Sequence, residues 1–182
     1  MNAIKERKIV YTSGQIAERV RAMAAEIDAF YGDEPLVAVC VLKGAVFFFT
    51  DLVRAMRSEN LELDFVRLSS YGKGTSSSRH VVFSKDVDCD ITGKHVLILA
   101  ASITTGYTVQ AAIEAINYYG GTVAGLSAIF ATATECLGIP VTSIFDPSNL
   151  PDYASFDSRE CPMCKAGQHI DALVNSFGYS AL

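Results

Sequence analysis

Three stretches of the chain are almost entirely apolar, and the segments between them are mostly helical or polar in pattern. An unbroken apolar run is typical of a central parallel strand that is buried on both faces. These runs cover residues 36–42, 96–101 and 123–130. Apolar residues at helical spacing predict helices over about 12–31, 45–56 and 109–119. Strands and helices therefore alternate along most of the chain.

Weaker patterns fill the remaining segments. Thr12 and Gln15 have the spacing of a capping box and predict the start of the first helix. Shorter extended segments are predicted at residues 63–68, 80–83 and 141–145. Residues 69–78 are rich in glycine and hydroxyl side chains, which predicts a loop. From residue 146 onward the sequence becomes irregular.

Alternation of strands and helices predicts an α/β fold with a central parallel sheet and helices on both faces. The irregular last part would add a small hood. With 182 residues and no linker-like segment, we expect one domain over residues 1–182.

Composition narrows the possible partners. Half of the residues are hydrophobic, 19% are charged and the net charge is −5. An acidic chain without a Lys/Arg-rich run is not expected to bind nucleic acid. No apolar stretch reaches membrane-spanning length, and residues 1–8 lack the apolar segment of a signal peptide. We therefore expect a cytoplasmic protein that does not bind membranes.

The five cysteines do not resemble a disulfide framework, because their number is odd and their positions are scattered. Cys161 and Cys164 form one CxxC pair. A structural zinc site would normally need a second pair or well-spaced histidines. An ordinary thiol pair or a terminal turn is the favoured interpretation of this motif, ahead of a metal site.

Chemistry is suggested most strongly by the polar turn that follows the second apolar run. Thr104, Thr105, Gly106 and Thr108 lie between that strand and the next predicted helix. Free N–H groups at a helix start, together with hydroxyls and a glycine, suit a phosphate group. A helix capped by threonines without a ligand is an equally good interpretation of these residues alone.

A strand followed by a polar turn, Thr-Gly-x-Thr and a helix resembles the phosphoribosyl-pyrophosphate loop of type I phosphoribosyltransferases. Two other segments match the hypoxanthine-guanine members of that family. Leu42, Lys43 and Gly44 resemble their pyrophosphate-binding loop. Ser70 and Tyr71 begin a segment that resembles their closing lid. The resemblance covers roughly residues 8 to 130, and a C-terminal segment around residues 160–167 is similar to orotate-type enzymes.

The resemblance implies transfer of ribose 5-phosphate from phosphoribosyl pyrophosphate to a nucleobase, with Mg²⁺ as cofactor and release of pyrophosphate. It implies catalytic or lid roles for Ser70, Tyr71 and Thr104, a base-stacking role for Phe145 and a metal-binding role for Asp157. It also implies a homodimer or homotetramer. The substrate-binding set that it implies is Leu42, Lys43, Gly44, Ala100, Ala101, Ser102, Thr104, Thr105, Gly106, Tyr107, Thr108 and Phe145.

The chain departs from the family at the acidic pair that binds the ribose hydroxyls. Ala100 and Ala101 stand where the family has two carboxylates, and Thr104 stands where purine enzymes usually have an aspartate. The lysine that recognises the purine is also missing after the third strand. Two hypotheses follow: a phosphoribosyltransferase of purine or orotate type, or a catalytically silent relative that binds nucleotides or phosphoribosyl pyrophosphate.

Overall fold

The computed structural model describes residues 9–70, 81–150, 153–154, 156, 160–168, 172–175 and 178–181. These residues fall into two compact units, 1–146 and 147–182. The single domain expected from the sequence stays a prediction. The predicted Tyr71 and Asp157 lie outside the described residues.

In its described residues, the first unit contains three helices and seven strands. The helices are α1 (Ser13–Tyr31), α2 (Val46–Ala55) and α3 (Tyr107–Tyr118). The strands are β1 (Leu36–Leu42), β2 (Leu61–Ser70), β3 (Val81–Lys85), β4 (His95–Ile103), β5 (Thr122–Ala131), β6 (Glu135–Cys136) and β7 (Ile139–Phe145). The predicted alternation of strands and helices is confirmed.

All seven strands belong to one sheet with the order β3-β2-β1-β4-β5-β7-β6. The strand pairs β1–β2, β1–β4, β4–β5 and β5–β7 are parallel. Only the outer strands β3 and β6 run antiparallel to their neighbours. The predicted α/β class with a central parallel sheet is therefore confirmed, with an antiparallel strand added at each edge.

The helices cover both faces of this sheet because successive strand residues point to opposite sides. Val37 and Val39 of β1 pack with Val109 and Ile113 of α3 in one apolar cluster. Leu36, Ala38 and Cys40 of the same strand belong to the other cluster, together with buried residues of α1 and α2. Consecutive residues of β1 are thus buried on both faces, which is why its sequence does not alternate.

Helix α1 begins where the sequence predicts. The Thr12 backbone N–H donates to Gln15 Oε1 over 2.9 Å, and the Gln15 backbone N–H donates to Thr12 Oγ1 over 3.3 Å. This reciprocal pair is the capping box. No helix in the described part of the chain has both the length and the apolar character needed to cross a membrane.

The second unit holds three further elements in its described residues. They are the one-turn helix α4 (Pro162–Lys165) and the antiparallel hairpin of β8 (Ala172–Asn175) and β9 (Gly178–Ala181). The sequence predicted irregular structure over residues 146–169, so α4 was missed, because a single turn is too short to show helical periodicity.

Candidate active site

The turns that follow β1 and β4 meet at one edge of the sheet. The two strands are parallel neighbours, with Cys40 opposite Leu99, so their carboxyl ends lie side by side. A Cβ atom placed on Gly44 would lie only 3.0 Å from the Cβ atom of Ala101. The two segments that the sequence singled out, 42–44 and 100–108, are therefore in direct contact.

The first of these turns is open toward solvent. Its peptide bond between Leu42 and Lys43 is cis. Lys43 and Gly44 are exposed, whereas Ala45 is buried beneath them. The backbone N–H of Val46 donates to the Lys43 carbonyl over 3.2 Å and closes the turn into α2. The Lys43 ammonium group can therefore reach an anion at this edge.

The second turn leads from β4 into α3. Thr104, Thr105, Tyr107 and Thr108 are all exposed. Gly106 is the N-cap residue of α3, with φ of 78°, and the N–H of Gln110 donates to its carbonyl over 2.8 Å. The first N–H groups of a helix have no partner within the helix, so this turn offers backbone donors and hydroxyls to an anion.

Residues that follow β5 donate hydrogen bonds to the second turn and lie against it. The Thr132 backbone N–H donates to the Ile103 carbonyl over 3.1 Å, and Thr132 Oγ1 donates to the Thr104 carbonyl over 3.2 Å. A Cβ atom on Gly106 would lie 3.0 Å from Cys136 Sγ. Sequence reasoning missed Thr132 and Cys136. The available signal was their position just after a predicted buried strand.

The two alanines in place of the acidic pair differ in their surroundings. Ala100 is buried in the apolar cluster on the α3 face, while Ala101 is half-buried and touches the Gly44 turn. Ser102 is exposed. At the end of β4 the described side chains thus supply hydroxyls but no carboxylate.

A protein-held magnesium ion does not fit these residues. Mg²⁺ prefers carboxylate oxygens, water and phosphate oxygens in an octahedral arrangement. Among the described residues, no three His, Cys, Asp or Glu side chains come together in a way that could hold a metal ion. At the end of β4, alanine occupies both positions of the expected acidic pair, so this strand provides no carboxylate ligand for a metal ion.

Phe145 lies within a cluster of rings at the end of β7. Its centroid is 4.2 Å from that of Tyr11, and the Arg19 guanidinium lies 4.9 Å from it. Arg19 Nη1 also donates to the Ile144 carbonyl over 2.7 Å. With 7% of its surface exposed, Phe145 is a core residue, and a base could stack on it only by displacing these contacts.

Ser70 is the last residue of β2 and pairs with Val81 of β3 across the base of an antiparallel hairpin. This pairing confirms the extended segment predicted after the loop. The structure therefore places Ser70 only through its backbone, and the lid roles of Ser70 and Tyr71 stay predictions.

One buried carboxylate lies elsewhere on β2. Asp64 accepts hydrogen bonds from the backbone N–H groups of Phe65 at 2.6 Å, Asp88 at 2.7 Å and Cys89 at 2.9 Å. Burial by itself raises the pKa of Asp64, but these hydrogen bonds outweigh it and hold the pKa at about 2. Through these hydrogen bonds Asp64 links β2 to the segment before β4, so its carboxylate has a structural role.

An open α/β sheet with two polar turns at neighbouring strand ends is typical of domains that bind a phosphorylated small molecule at the carboxyl ends of their strands. Residues 6–137 match the family model of the phosphoribosyl transferase domain. The chain belongs to this family.

Individual relatives agree with the family model. The chain is 43% identical over 101 residues to a hypoxanthine-guanine-xanthine phosphoribosyltransferase of Tritrichomonas foetus, covering 56% of this chain and 54% of that protein. It is 41% identical over 107 residues to a hypoxanthine-guanine phosphoribosyltransferase of Aquifex aeolicus, covering 58% and 60%. The matched part is thus little more than half the length of these relatives.

The fold is similar to that of a solved hypoxanthine-guanine phosphoribosyltransferase from Bacillus anthracis. The TM-score is 0.69 at 25% identity, with 79% of this chain and 85% of that chain covered. The structural match therefore extends over a larger share of each chain than the sequence matches to the two relatives.

Proposed function

We propose that the protein is a phosphoribosyltransferase of the hypoxanthine-guanine kind. It would transfer ribose 5-phosphate from phosphoribosyl pyrophosphate to a purine base and release pyrophosphate. The observation that carries this proposal is the contact between the Gly44 turn and the end of β4, beside the Thr104–Thr108 turn. The two relatives named above, both phosphoribosyltransferases of purine bases, support the choice of base class.

In this proposal the two turns divide the substrate between them. The N–H groups and hydroxyls of residues 104–108 hold the ribose phosphate, because a helix start favours negative charge. Lys43 and the backbone of its turn meet the pyrophosphate. A nitrogen of the base forms the new bond to C1 of the ribose, while the C1–oxygen bond breaks and pyrophosphate leaves with the electron pair. The base gives up its N–H proton to solvent.

Charge separates during this step, so fixed donors near the leaving group lower its barrier. Lys43 is proposed to stabilise the departing pyrophosphate, and Ser70 and Tyr71 are proposed to close the site and exclude water. Thr104 serves as a positioning hydroxyl, since an unactivated hydroxyl does not accept a proton near neutral pH. No step is assigned to a magnesium ion held by the protein; Mg²⁺ is proposed to accompany the substrate.

A second candidate function is binding without turnover. Ala100 and Ala101 favour it, because charge-assisted hydrogen bonds are worth roughly 1.5–3 kcal/mol each and two of them are missing. Their loss would weaken binding of the ribose while leaving the proposed phosphate-binding turn unchanged. A protein of this kind would bind phosphoribosyl pyrophosphate or a purine nucleotide and release it unchanged.

The experiment that separates the two functions measures turnover and binding on the same sample. Pyrophosphate release would be followed with phosphoribosyl pyrophosphate, Mg²⁺ and each of hypoxanthine, guanine, xanthine, adenine, uracil and orotate. Calorimetry with phosphoribosyl pyrophosphate and with GMP would measure binding. Release with a purine confirms the enzyme, binding without release confirms the second function, and failure of both refutes the family-based proposal.

A matched variant identifies what the missing carboxylates change. Ala101→Asp adds a carboxylate at a half-buried position beside the Gly44 turn, whereas Ala100→Glu adds one inside the apolar cluster on the α3 face. We expect Ala101→Asp to fold normally and Ala100→Glu to lower the unfolding temperature, because burying an unpaired charge is costly. Activity that appears only in Ala101→Asp, or in the double variant, would show that the natural chain lacks a catalytic group.

Assembly and location are part of the same proposal. Phosphoribosyl pyrophosphate and a purine base are the proposed small-molecule partners, in a homodimer or homotetramer located in the cytoplasm. Helix α2 contains three consecutive phenylalanines, of which Phe48 and Phe49 are buried and Phe47 is 83% exposed. Phe47 is therefore the proposed point of self-association.

A further inference from the structure

The CxxC pair of the second unit is not used by the proposed function. Cys161 immediately precedes α4, and Cys164 lies within it. The backbone N–H of Lys165 donates to the Cys161 carbonyl over 3.1 Å, and that of Gly167 donates to the Cys164 carbonyl over 3.1 Å. These bonds close one helical turn, on which side chains three residues apart lie on the same face.

The two thiols are neighbours and can reach solvent. Cys164 is exposed and Cys161 is half-exposed. The single helical turn places the two side chains on the same face. Cysteines three residues apart on one helical turn are close enough to form a disulfide without a large movement of the backbone.

A metal site is the less suitable interpretation of the same pair. Zinc sites in proteins are usually tetrahedral with four ligands, or with three and a water molecule. In the described part of the chain, no third His, Cys, Asp or Glu joins the two cysteines in a group that could hold a metal ion. Two thiolates alone fill only half of the four ligand positions of zinc.

We infer that Cys161 and Cys164 form a redox-active dithiol that exchanges with low-molecular-weight disulfides. The Cys161 thiolate attacks one sulfur of the small disulfide, forms a mixed disulfide and releases one thiolate. Cys164, after losing its proton, then attacks Cys161 Sγ, closes the Cys161–Cys164 disulfide and releases the second thiolate. The dithiol is oxidised, and the small disulfide is reduced to two thiols.

The surroundings of the pair assign the two roles. The backbone N–H of Cys164 and the Cys164 thiol both favour the Cys161 thiolate and lower the pKa of Cys161. The same contact with Cys161 raises the pKa of Cys164. Since the thiolate is the nucleophile, Cys161 attacks first and Cys164 resolves the mixed disulfide.

Two other cysteines provide an internal comparison. Burial raises the pKa of Cys40 and of Cys89 to about 11. Thiols of this kind are almost entirely protonated near neutral pH and react slowly with disulfides. Oxidation is therefore expected at Cys161 and Cys164 while Cys40 and Cys89 remain reduced.

The test equilibrates the full chain with defined ratios of reduced and oxidised glutathione. Remaining thiols are then blocked with N-ethylmaleimide and mapped by mass spectrometry. We expect loss of both thiols of the pair together and a peptide cross-linked between Cys161 and Cys164. In Cys164→Ser, we expect glutathione to accumulate at residue 161, whereas Cys161→Ser should take up far less. The control Cys136→Ser should form the cross-link as the unaltered chain does.

Several results would overturn the inference. One is a pair that stays reduced at every glutathione ratio. Another is an adduct that forms equally fast in Cys161→Ser and Cys164→Ser, which would contradict the assigned order. Stoichiometric zinc in the purified chain that protects both thiols would also overturn it. None of these results depends on whether the protein transfers ribose 5-phosphate, so failure here and failure of the proposed function are distinguishable.

Discussion

Gly106 is the residue at which backbone conformation and a side-chain contact both require glycine. Its φ is 78°, and a Cβ atom there would lie 3.0 Å from Cys136 Sγ. A non-glycine residue in this left-handed region costs roughly 1–2 kcal/mol. We expect Gly106→Ala to lower stability by about that amount and to displace the turn, so that calorimetry detects much weaker binding of phosphoribosyl pyrophosphate.

Gly138 offers a matched control for this prediction. It also has φ of 78°, but no atom beyond its chain neighbours lies within 4 Å of where its Cβ atom would be. Gly138→Ala should therefore show a similar backbone cost and near-normal binding. Equal loss of affinity in the two variants would contradict a specific role of Gly106 in the phosphate turn.

Asp64 makes stability depend on pH. Because its pKa is held at about 2 in the folded chain, against about 3.9 in an unfolded one, its charged form stabilises the fold. This contribution, about 2 kcal/mol, is present above about pH 4 and is lost as the pH falls toward 2. Asp64→Asn should remove this pH dependence and lower stability at pH 7, because it replaces one accepting oxygen by an NH2 group, which would face a backbone N–H and cannot accept from it. Urea unfolding between pH 2 and 7 measures both effects.

A second carboxylate of β2 provides the comparison. Glu62 is half-exposed and accepts a 2.6 Å hydrogen bond from Lys94 Nζ. Exposed ion pairs contribute roughly 0–1 kcal/mol, so Glu62→Gln should change stability little. If Glu62→Gln and Asp64→Asn were equally destabilised at pH 7, burial and backbone hydrogen bonding would not explain the stability supplied by Asp64.

Individual residues could be predicted where the contact is local in the sequence. Lys43, Gly44 and the threonines of the second turn follow buried strands directly, which is visible in the chain itself. Phe145 could not be placed, because the Tyr11 and Arg19 groups that cover it come from a distant part of the sequence. The backbone N–H groups before β4 that donate to Asp64 could not be predicted for the same reason.

At the scale of elements, the prediction depended on length and pattern. The apolar runs predicted β1, β4 and β5, and the capping box predicted the start of α1. Strand β6 was missed because two residues show no periodicity. Yet the hairpin of β6 and β7 carries Cys136 to the phosphate turn, so the missed element is one that shapes the candidate site.

Only one face of helix α2 is expected to contribute to the stability of the fold. Leu52 is fully buried against the sheet, whereas Phe47 on the same helix is 83% exposed. Replacing a buried leucine by alanine costs about 2–5 kcal/mol through lost burial and the cavity that remains. We expect Leu52→Ala to lose that amount in chemical denaturation.

Phe47→Ala is the matched control in the same helix. Surface substitutions usually change stability by less than about 0.5 kcal/mol, and we expect this value for dilute protein. Similar losses in both variants would mean that the face carrying Phe47 is covered by a partner.

At the scale of the whole molecule, the order of strands creates the site. From β1 the chain moves outward to β2 and β3, and it then returns to β4 on the other side of β1. Helices α2 and α3, which follow these two strands, consequently pack on opposite faces of the sheet, and in open α/β sheets ligands bind where the chain switches faces in this way. The sequence predicted the strands but not their order, because pairing between β1 and β4 depends on contacts across more than one intervening element.

Self-association is the prediction that belongs to the molecule as a whole. Burying a phenylalanine side chain contributes roughly 1.5–3 kcal/mol, and Phe47 is the one member of its aromatic triplet that the fold leaves exposed. If the chain forms a dimer or tetramer through α2, Phe47→Asp should shift it to the monomer, as light scattering over a range of concentrations would show. Phe30→Asp is the control, since Phe30 on α1 is 78% exposed.

An unaltered chain that is monomeric at every concentration would refute the predicted assembly, and dissociation by Phe30→Asp alone would move the interface to α1. Loss of the oligomer in Phe47→Asp alone would instead place the interface on the helix that follows the Lys43 turn, and activity measured across the same transition would then show whether the site requires the assembled form.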